Sequence, residues 1–173
     1  SSQGCAFDGR YIYFVPGYAD TGNNGLVIRY DTTAPFDVRE SYTTYDASDT
    51  NGLPCYCYDG AVFDGRHIYF VPLTECGNML RYDTRKPFGE SGSWRARNIL
   101  EATDPRISMC VGAVFDGRYV YYVPYGDNTS VVRYDTEGPF DTDASWESRD
   151  VADTSGLECR GFDGANFDGR YIY

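Results

Sequence analysis

The residues of this chain that could do chemistry are its many carboxylates and a single histidine, His67. Two carboxylates facing each other across a cleft can hydrolyse a glycosidic bond, but no spacing in the sequence singles out such a pair. One histidine cannot build a multi-histidine metal site, and no serine-nucleophile motif accompanies it. His67 also stands where Tyr11, Tyr119 and Tyr171 stand in similar segments, which favours a structural role. The sequence therefore predicts a protein that is not an enzyme and has no catalytic residues.

The cysteines are a second group of reactive side chains. Cys55 and Cys57 are separated by one residue, which is closer than the spacing typical of a structural zinc pair. An even number of cysteines in an acidic, tyrosine-rich chain favours disulfides formed outside the cell. Buried free thiols are the alternative interpretation. The candidates for disulfide formation are Cys5, Cys55, Cys57, Cys76, Cys110 and Cys159.

Loops of variable sequence carry the candidate binding residues, since loops on a rigid repeat are common binding sites. Tyrosine rings could stack on a sugar, and Asp and Asn oxygens are ligands that calcium prefers. Asn128 begins an Asn-Thr-Ser sequence, which makes it a candidate for N-glycosylation. The predicted ligand-binding residues are Tyr18, Asp20, Asn23, Tyr125 and Asp127, and the calcium candidates are Asp20, Asn24 and Asp127. No other metal and no cofactor is predicted.

A short motif that occurs four times organises the rest of the chain. Phe-Asp-Gly-Arg, followed by alternating aromatic and aliphatic residues, begins at Phe7, Phe63, Phe115 and Phe167. Asp-Gly is a preferred central pair of a type I′ turn, because Gly adopts positive φ without strain and Asp tolerates it. The first three copies end at a proline, which cannot donate to a β-ladder. Each copy therefore predicts a tight hairpin.

The hairpin is part of a longer repeat. Arg-Tyr-Asp-Thr occurs at Arg29, Arg81 and Arg133, in steps of 52 residues. These steps divide the chain into repeats at 1–52, 53–104 and 105–156, with the inner hairpin of an incomplete fourth repeat at 157–173. Each complete repeat reads as four short antiparallel strands, of which the second and third are apolar on both faces. The predicted fold is all-β, a β-propeller-type array of four-stranded antiparallel blades with a period of about 52 residues.

Acidic residues that recur in every repeat are expected to belong to the scaffold, because each repeat must build the same turn. The turn aspartates are predicted to pair with the arginines that follow them two positions later. A second set, Asp31, Asp83 and Asp135, is predicted to cap the turn after the third strand through backbone N–H groups. The first set consists of Asp8, Asp64, Asp116 and Asp168, with Arg10, Arg66, Arg118 and Arg170.

The segment from Gly60 to Pro72, followed by Leu-Arg-Tyr-Asp-Thr at Leu80–Thr84, resembles the repeat units of β-propellers. It looks most like tandem repeats of large bacterial cell-surface proteins. There is a looser likeness to hemopexin-type blades, from which this chain departs because Ile28, Leu80 and Val132 replace the tryptophan before Arg-Tyr-Asp. The resemblance implies a blade fold and a role at the cell surface.

Charge and repeat order lead to the predicted function. A net charge of −11 disfavours a nucleic-acid partner, and no run of residues is long or apolar enough to insert into a membrane. Both ends of the chain supply inner hairpins, so the array is expected to be completed by further repeats of a longer chain or by copies of itself, through strand complementation. We therefore expect an extracellular or cell-surface structural and interaction protein that forms a head-to-tail filament or part of a longer array. The alternatives are a carbohydrate-binding module and, third, a glycoside hydrolase or lyase.

Overall fold

The computed structural model describes residues 2–18, 24–74, 77–100, 103 and 109–173. It contains three four-stranded antiparallel sheets, which we call blades 1, 2 and 3, and a small two-stranded sheet. The blade strands follow chain order across each sheet, so the predicted all-β array of four-stranded blades is confirmed. Within the described residues, no helix has the length and apolar character needed to cross a membrane.

The strands are short and nearly equal in length from one blade to the next. Blade 1 contains β1 (Ser2–Phe7), β2 (Tyr11–Pro16), β3 (Leu26–Asp31) and β4 (Tyr42–Asp46). The small sheet that follows consists of β5 (Asp49–Thr50) and β6 (Leu53–Pro54). Blade 2 contains β7 (Tyr58–Phe63), β8 (His67–Pro72), β9 (Asn78–Asp83) and β10 (Trp94–Asn98). Blade 3 contains β11 (Cys110–Phe115), β12 (Tyr119–Pro124), β13 (Ser130–Asp135) and β14 (Trp146–Asp150).

A fourth hairpin covers residues 166–173 and has no outer strands within the described residues. Asn166 and Tyr173 exchange both backbone hydrogen bonds at 3.0 Å, and Phe167 bridges Ile172. Its seven residues from Phe167 to Tyr173 are identical to those from Phe7 to Tyr13 in blade 1.

The Asp-Gly turns differ from the predicted type I′ geometry. In the first turn the amide of Asp8 donates to the carbonyl of Tyr11, so the two central residues are Gly9 and Arg10. Only Gly9 has positive φ (102°), whereas a type I′ turn needs positive φ at both central residues. The prediction of the turn type was therefore wrong, although the hairpin itself is confirmed. The reason is that Asp8 closes the turn with its side chain instead of occupying a central position.

The innermost strands of successive blades approach each other through a column of glycines. Gly4, Gly60, Gly112 and Gly164 all have positive φ, and the first three lie at a bulge where the register of the inner strand shifts. A Cβ atom added to Gly4 would lie 3.0 Å from the Cα of Gly60, and one added to Gly112 would lie 3.2 Å from the Cα of Gly164. Glycine at these positions therefore sets how closely the blades pack.

The core lies between the blades and is divided into two clusters. One cluster joins blades 1 and 2, and the other joins blades 2 and 3. On β8, Tyr69 and Phe70 point to opposite faces, and both are completely buried. This explains why the second and third strands are apolar on both faces, since the middle blade is covered on each side.

Candidate interaction faces

Each blade has two faces, which we name by the direction of the chain. The outgoing face points to the next blade and the incoming face to the previous one. Between blades 1 and 2, the outgoing Tyr13 packs against the incoming Tyr82, with ring centroids 5.6 Å apart. The guanidinium of Arg29 lies 4.4 Å from the centre of the Phe88 ring. The rings of Tyr45 and Trp94 stack at 4.5 Å.

The contact between blades 2 and 3 is built from the equivalent residues. Tyr69 packs against Tyr134 at 5.7 Å, and Arg81 lies 4.3 Å above the ring of Phe140. Arg97, which stands at the position of Tyr45, forms an ion pair with Asp143. One interface is therefore used twice, with an aromatic cluster on the incoming face that receives a tyrosine and an arginine from the outgoing face.

The incoming face of blade 1 carries the same aromatic cluster without a covering blade. Tyr30 and Tyr42 stack at 4.8 Å, and Phe36 meets Tyr30 edge to face. Phe36 is 73% exposed, whereas the equivalent Phe88 and Phe140 are 4% and 1% exposed. An exposed aromatic cluster of this kind is typical of an interaction surface.

The outgoing face of blade 3 carries the complementary residues. Tyr121 and Arg133 stand at the positions of Tyr69 and Arg81, and Val131 and Val151 stand at those of Met79 and Ile99 in the buried core. A surface cavity of about 400 Å³ separates this face from the fourth hairpin, and its lining is mainly apolar. Arg133 is held by Glu147, whose carboxylate accepts hydrogen bonds of 3.0 and 2.7 Å from the guanidinium.

The recurring acids act as predicted only in part. The turn aspartates do not pair with the following arginine side chains. In the second turn, one oxygen of Asp64 accepts from the amides of Arg66 and His67, and the other accepts from the Tyr69 hydroxyl at 2.7 Å. Burial raises the pKa of Asp64, but hydrogen bonds from His67, Tyr69 and the Arg66 amide outweigh it and lower the pKa to about 2. His67 therefore has structural contacts, as its position predicted.

The arginines pair instead with the second set of aspartates. Arg66 donates to both oxygens of Asp83, at 3.3 and 2.8 Å, and the other blades contain the same pair. The predicted capping role of this set is confirmed, because Asp83 also accepts from the amide of Arg85 at 3.1 Å. The pKa of Asp83 is lowered by the hydrogen bond from Arg66, against a smaller effect of burial.

Of the predicted loop residues that the structure describes, Tyr18 and Tyr125 are not in contact with each other. Tyr18 is 70% exposed beside blade 1, and Tyr125 is 40% exposed beside blade 3, so the blade between them separates the two. Asp20 and Asn23 lie outside the described residues. Sugar binding by these loops, and turnover of a glycan by any acid pair, stay predictions.

Two of the residues predicted to bind calcium or a glycan, Asn24 and Asn128, have hydrogen-bond partners within the fold. The side-chain oxygen of Asn24 accepts from the amide of Leu26 at 2.9 Å, and Asp127 is exposed. Among the described residues no group of three or more His, Cys, Asp or Glu could hold a metal. Asn128 is 7% exposed, and its amide nitrogen donates to the carbonyl of Met109 at 3.0 Å. Glycosylation of Asn128 in the folded chain is therefore not compatible with this structure.

The described cysteines are not joined to one another by disulfides. Cys110 is buried between blades 2 and 3, and this burial raises the pKa of its thiol to about 12. Cys55 and Cys57 are also buried, while Cys5 is exposed on β1. Disulfides among these residues are therefore not supported, because the buried ones fill the core as small apolar side chains. Cys76 lies outside the described residues.

The comparisons with known proteins concern the fold. No family model and no curated protein matches this chain. Solved structures do, including a nidogen/laminin complex, with a TM-score of 0.60, 16% identity and coverage of 96% of this chain and 52% of that chain. The computationally designed Ika8 protein matches with a TM-score of 0.51 and 11% identity, over 99% of this chain and 42% of that chain. Apo AztD from Citrobacter koseri matches with a TM-score of 0.50 and 12% identity, over 100% and 40%.

These matches support the β-propeller-type fold across nearly the whole chain. The chain spans about half of the first of these proteins and less of the other two.

Proposed function

We propose that this chain is a non-catalytic structural and interaction protein of the cell surface or extracellular space that assembles with copies of itself. The observation that carries this proposal is the pair of uncovered faces, which contain the two halves of an interface that the chain itself builds twice. The similarity in fold to a protein in a nidogen/laminin complex supports a protein as the partner.

The occupant of the outgoing face of blade 3 is the outer strand pair β3–β4 of a second copy. This pair carries Tyr30, Phe36 and Tyr42, which would receive Tyr121 and Arg133 as their equivalents do between blades 2 and 3. Aromatic packing and cation–π contacts would stabilise the interface.

The fourth hairpin offers the edge to which such a pair can bind. Since Phe167–Tyr173 is identical to Phe7–Tyr13, the hairpin of one copy can displace β1–β2 of the next copy and pair with β3 in its place. Arg170 would then pair with Asp31, as Arg10 does at 2.7 Å. Repeating this strand exchange from copy to copy gives a head-to-tail filament.

The test uses one charged substitution on each face. Phe36→Asp blocks the incoming face, and Val131→Asp blocks the outgoing face. We expect the wild-type chain to form species far above 19.4 kDa in sedimentation velocity, in amounts that rise with concentration. Each variant alone should remain monomeric, because one face of every contact is then charged.

A mixture of the two variants is the decisive sample. Each variant retains the face that the other has lost, so an equimolar mixture should form a dimer of twice the chain mass and no larger species. A wild-type chain that sediments as a monomer at every concentration, or a mixture that stays monomeric, would overturn the proposal. Negative-stain electron microscopy of the wild type should show fibres.

A further inference from the structure

Blade 2 contains a cross-strand pair of like charges that the other two blades do not have. On the two outer strands of each blade, an arginine stands opposite the residue fourteen positions later. The pairs are Arg29 with Thr43, Arg81 with Arg95, and Arg133 with Glu147. Like charges directly opposite each other on adjacent strands are destabilising, so an anion bound between them would stabilise the pair in blade 2.

In the other blades the residue opposite the arginine accepts a hydrogen bond from it. In blade 1, the Thr43 hydroxyl accepts from Arg29 at 3.2 Å. In blade 3, the Glu147 carboxylate accepts from Arg133 at 2.7 Å. Arg95 of blade 2 donates to the carbonyl of Trp94, and within the described residues no carboxylate lies within ion-pair distance of it.

The two arginines line a small surface cavity of about 250 Å³ together with other cationic groups. The cavity contains four cationic side chains and one carboxylate, in a chain whose net charge is −11. Its lining consists of Arg66, His67, Arg81, Asp83, Lys86, Gly92, Ser93 and Arg95. The carboxylate, Asp83, is engaged by Arg66 and by the amide of Arg85, and among the described residues no other carboxylate pairs with Arg81, Lys86 or Arg95.

Two residues found only in blade 2 change the surroundings of these cations. Lys86 stands where Ala34 and Gly138 stand in the other blades, and its ammonium lies 3.4 Å from the carbonyl of Gly92. His67 replaces a tyrosine whose ring, in blades 1 and 3, lies 4.3 and 4.4 Å below the equivalent arginine. Arg81 therefore keeps only the contact over Phe140 that Arg29 makes over Phe88, and it donates to the hydroxyl of Tyr134.

We propose that this cavity binds a sulfate or phosphate group. Two guanidinium groups and an ammonium group around one cavity match the oxygens and the double charge of such an anion. The bound group would lie between Arg81 and Arg95 and accept hydrogen bonds from them, as the Glu147 carboxylate accepts from Arg133 in blade 3. The site belongs to blade 2 alone and does not depend on the assembly of copies.

His67 provides a direct probe of the site, because it is the only histidine in the chain and it lines the cavity. Titration of the wild-type chain with sodium sulfate, and separately with inorganic phosphate, should shift the imidazole signals of His67 in a saturable manner in NMR spectra. Sodium chloride at matched ionic strength is the reference. A shift that chloride reproduces, or one that does not saturate, would overturn the proposal.

The matched variants are Arg95→Glu in the cavity and Thr43→Glu at the same position of blade 1. Arg95→Glu reproduces the arginine–glutamate pair of blade 3, so the variant should fold and be more stable than the wild type without anion. Its sulfate and phosphate affinity should fall by at least about tenfold, because a cation is replaced by a carboxylate. Thr43→Glu should leave the affinity unchanged. Unchanged binding by Arg95→Glu would contradict the site, and the relative affinities for sulfate and phosphate identify the preferred group.

Discussion

A single aspartate holds each Asp-Gly turn, and its two oxygens have different partners. One oxygen accepts two backbone amides of the turn, and the other accepts the hydroxyl of the tyrosine five residues later. The same set of bonds recurs at the other three turns, on Asp8, Asp116 and Asp168. The tyrosine of the repeated motif is therefore held by the turn in all four copies, and by the core as well at Tyr13 and Tyr69.

The turn of blade 2 should make stability depend on acid pH. The pKa of Asp64 is about 2 in the folded chain, below its ordinary value of 3.8. Because the folded pKa is the lower one, this stabilisation is complete above about pH 4 and is lost as the pH falls through about 2, with a size of about 2 kcal/mol. Asp64→Asn should lower the free energy of unfolding by a similar amount at pH 7 and flatten its dependence between pH 4 and 2.

Urea denaturation at several pH values measures this effect. Asp168→Asn is the control, because Asp168 makes the same bonds in the exposed fourth hairpin, where water can replace them. An Asp64→Asn variant whose unfolding free energy falls with acid pH as steeply as that of the wild type would contradict the role assigned to this carboxylate.

At the scale of the strand, the glycine column limits how closely blades can pack. Gly112 has φ of +73°, and an added Cβ would lie 3.2 Å from the Cα of Gly164. Gly112→Ala should therefore cost about 2–3 kcal/mol of stability, through backbone strain and displacement of the neighbouring strand. Gly117→Ala in the turn of the same blade has open space around the added Cβ and should cost only the strain, about 1 kcal/mol. Equal losses in thermal or chemical denaturation would show that the close approach is unimportant.

The strands and their order could be predicted from the sequence, because apolar runs between turn residues and a fixed period are local signals. The close approach of the inner strands could not be predicted from the sequence, since it depends on a bulge at each glycine and on the neighbouring blade. The role of the turn aspartate was misjudged for a related reason. Adjacent charges in the sequence suggested an Asp–Arg pair, whereas the strand geometry directs Arg66 to Asp83. The cavity of blade 2 was also missed, although the Arg95 and Lys86 substitutions within the repeat were a visible signal.

At the scale of the whole molecule, residues at the same position of the repeat should affect either stability or assembly, depending on whether a neighbouring blade covers them. Phe88 is buried between two blades, and the equivalent Phe36 is exposed on the incoming face of blade 1. Phe88→Ala should cost about 3–4 kcal/mol, because it opens a cavity in the first core cluster. In a dilute, monomeric sample Phe36→Ala should cost less than about 1 kcal/mol, because water already surrounds most of its ring.

When association is measured instead of monomer stability, Phe36→Ala should have the larger effect of the two variants. If copies associate through the incoming face, Phe36 becomes buried only in the assembly, and Phe36→Ala should weaken association while the monomer stays folded. Chemical denaturation at low concentration and sedimentation at high concentration separate the two effects. A loss of monomer stability for Phe36→Ala as large as that for Phe88→Ala would mean that this face is already part of a monomer core. Unchanged association of a folded Phe36→Ala variant would mean that copies associate through a surface other than the incoming face of blade 1. The effect of Phe36→Ala on association therefore distinguishes these two arrangements.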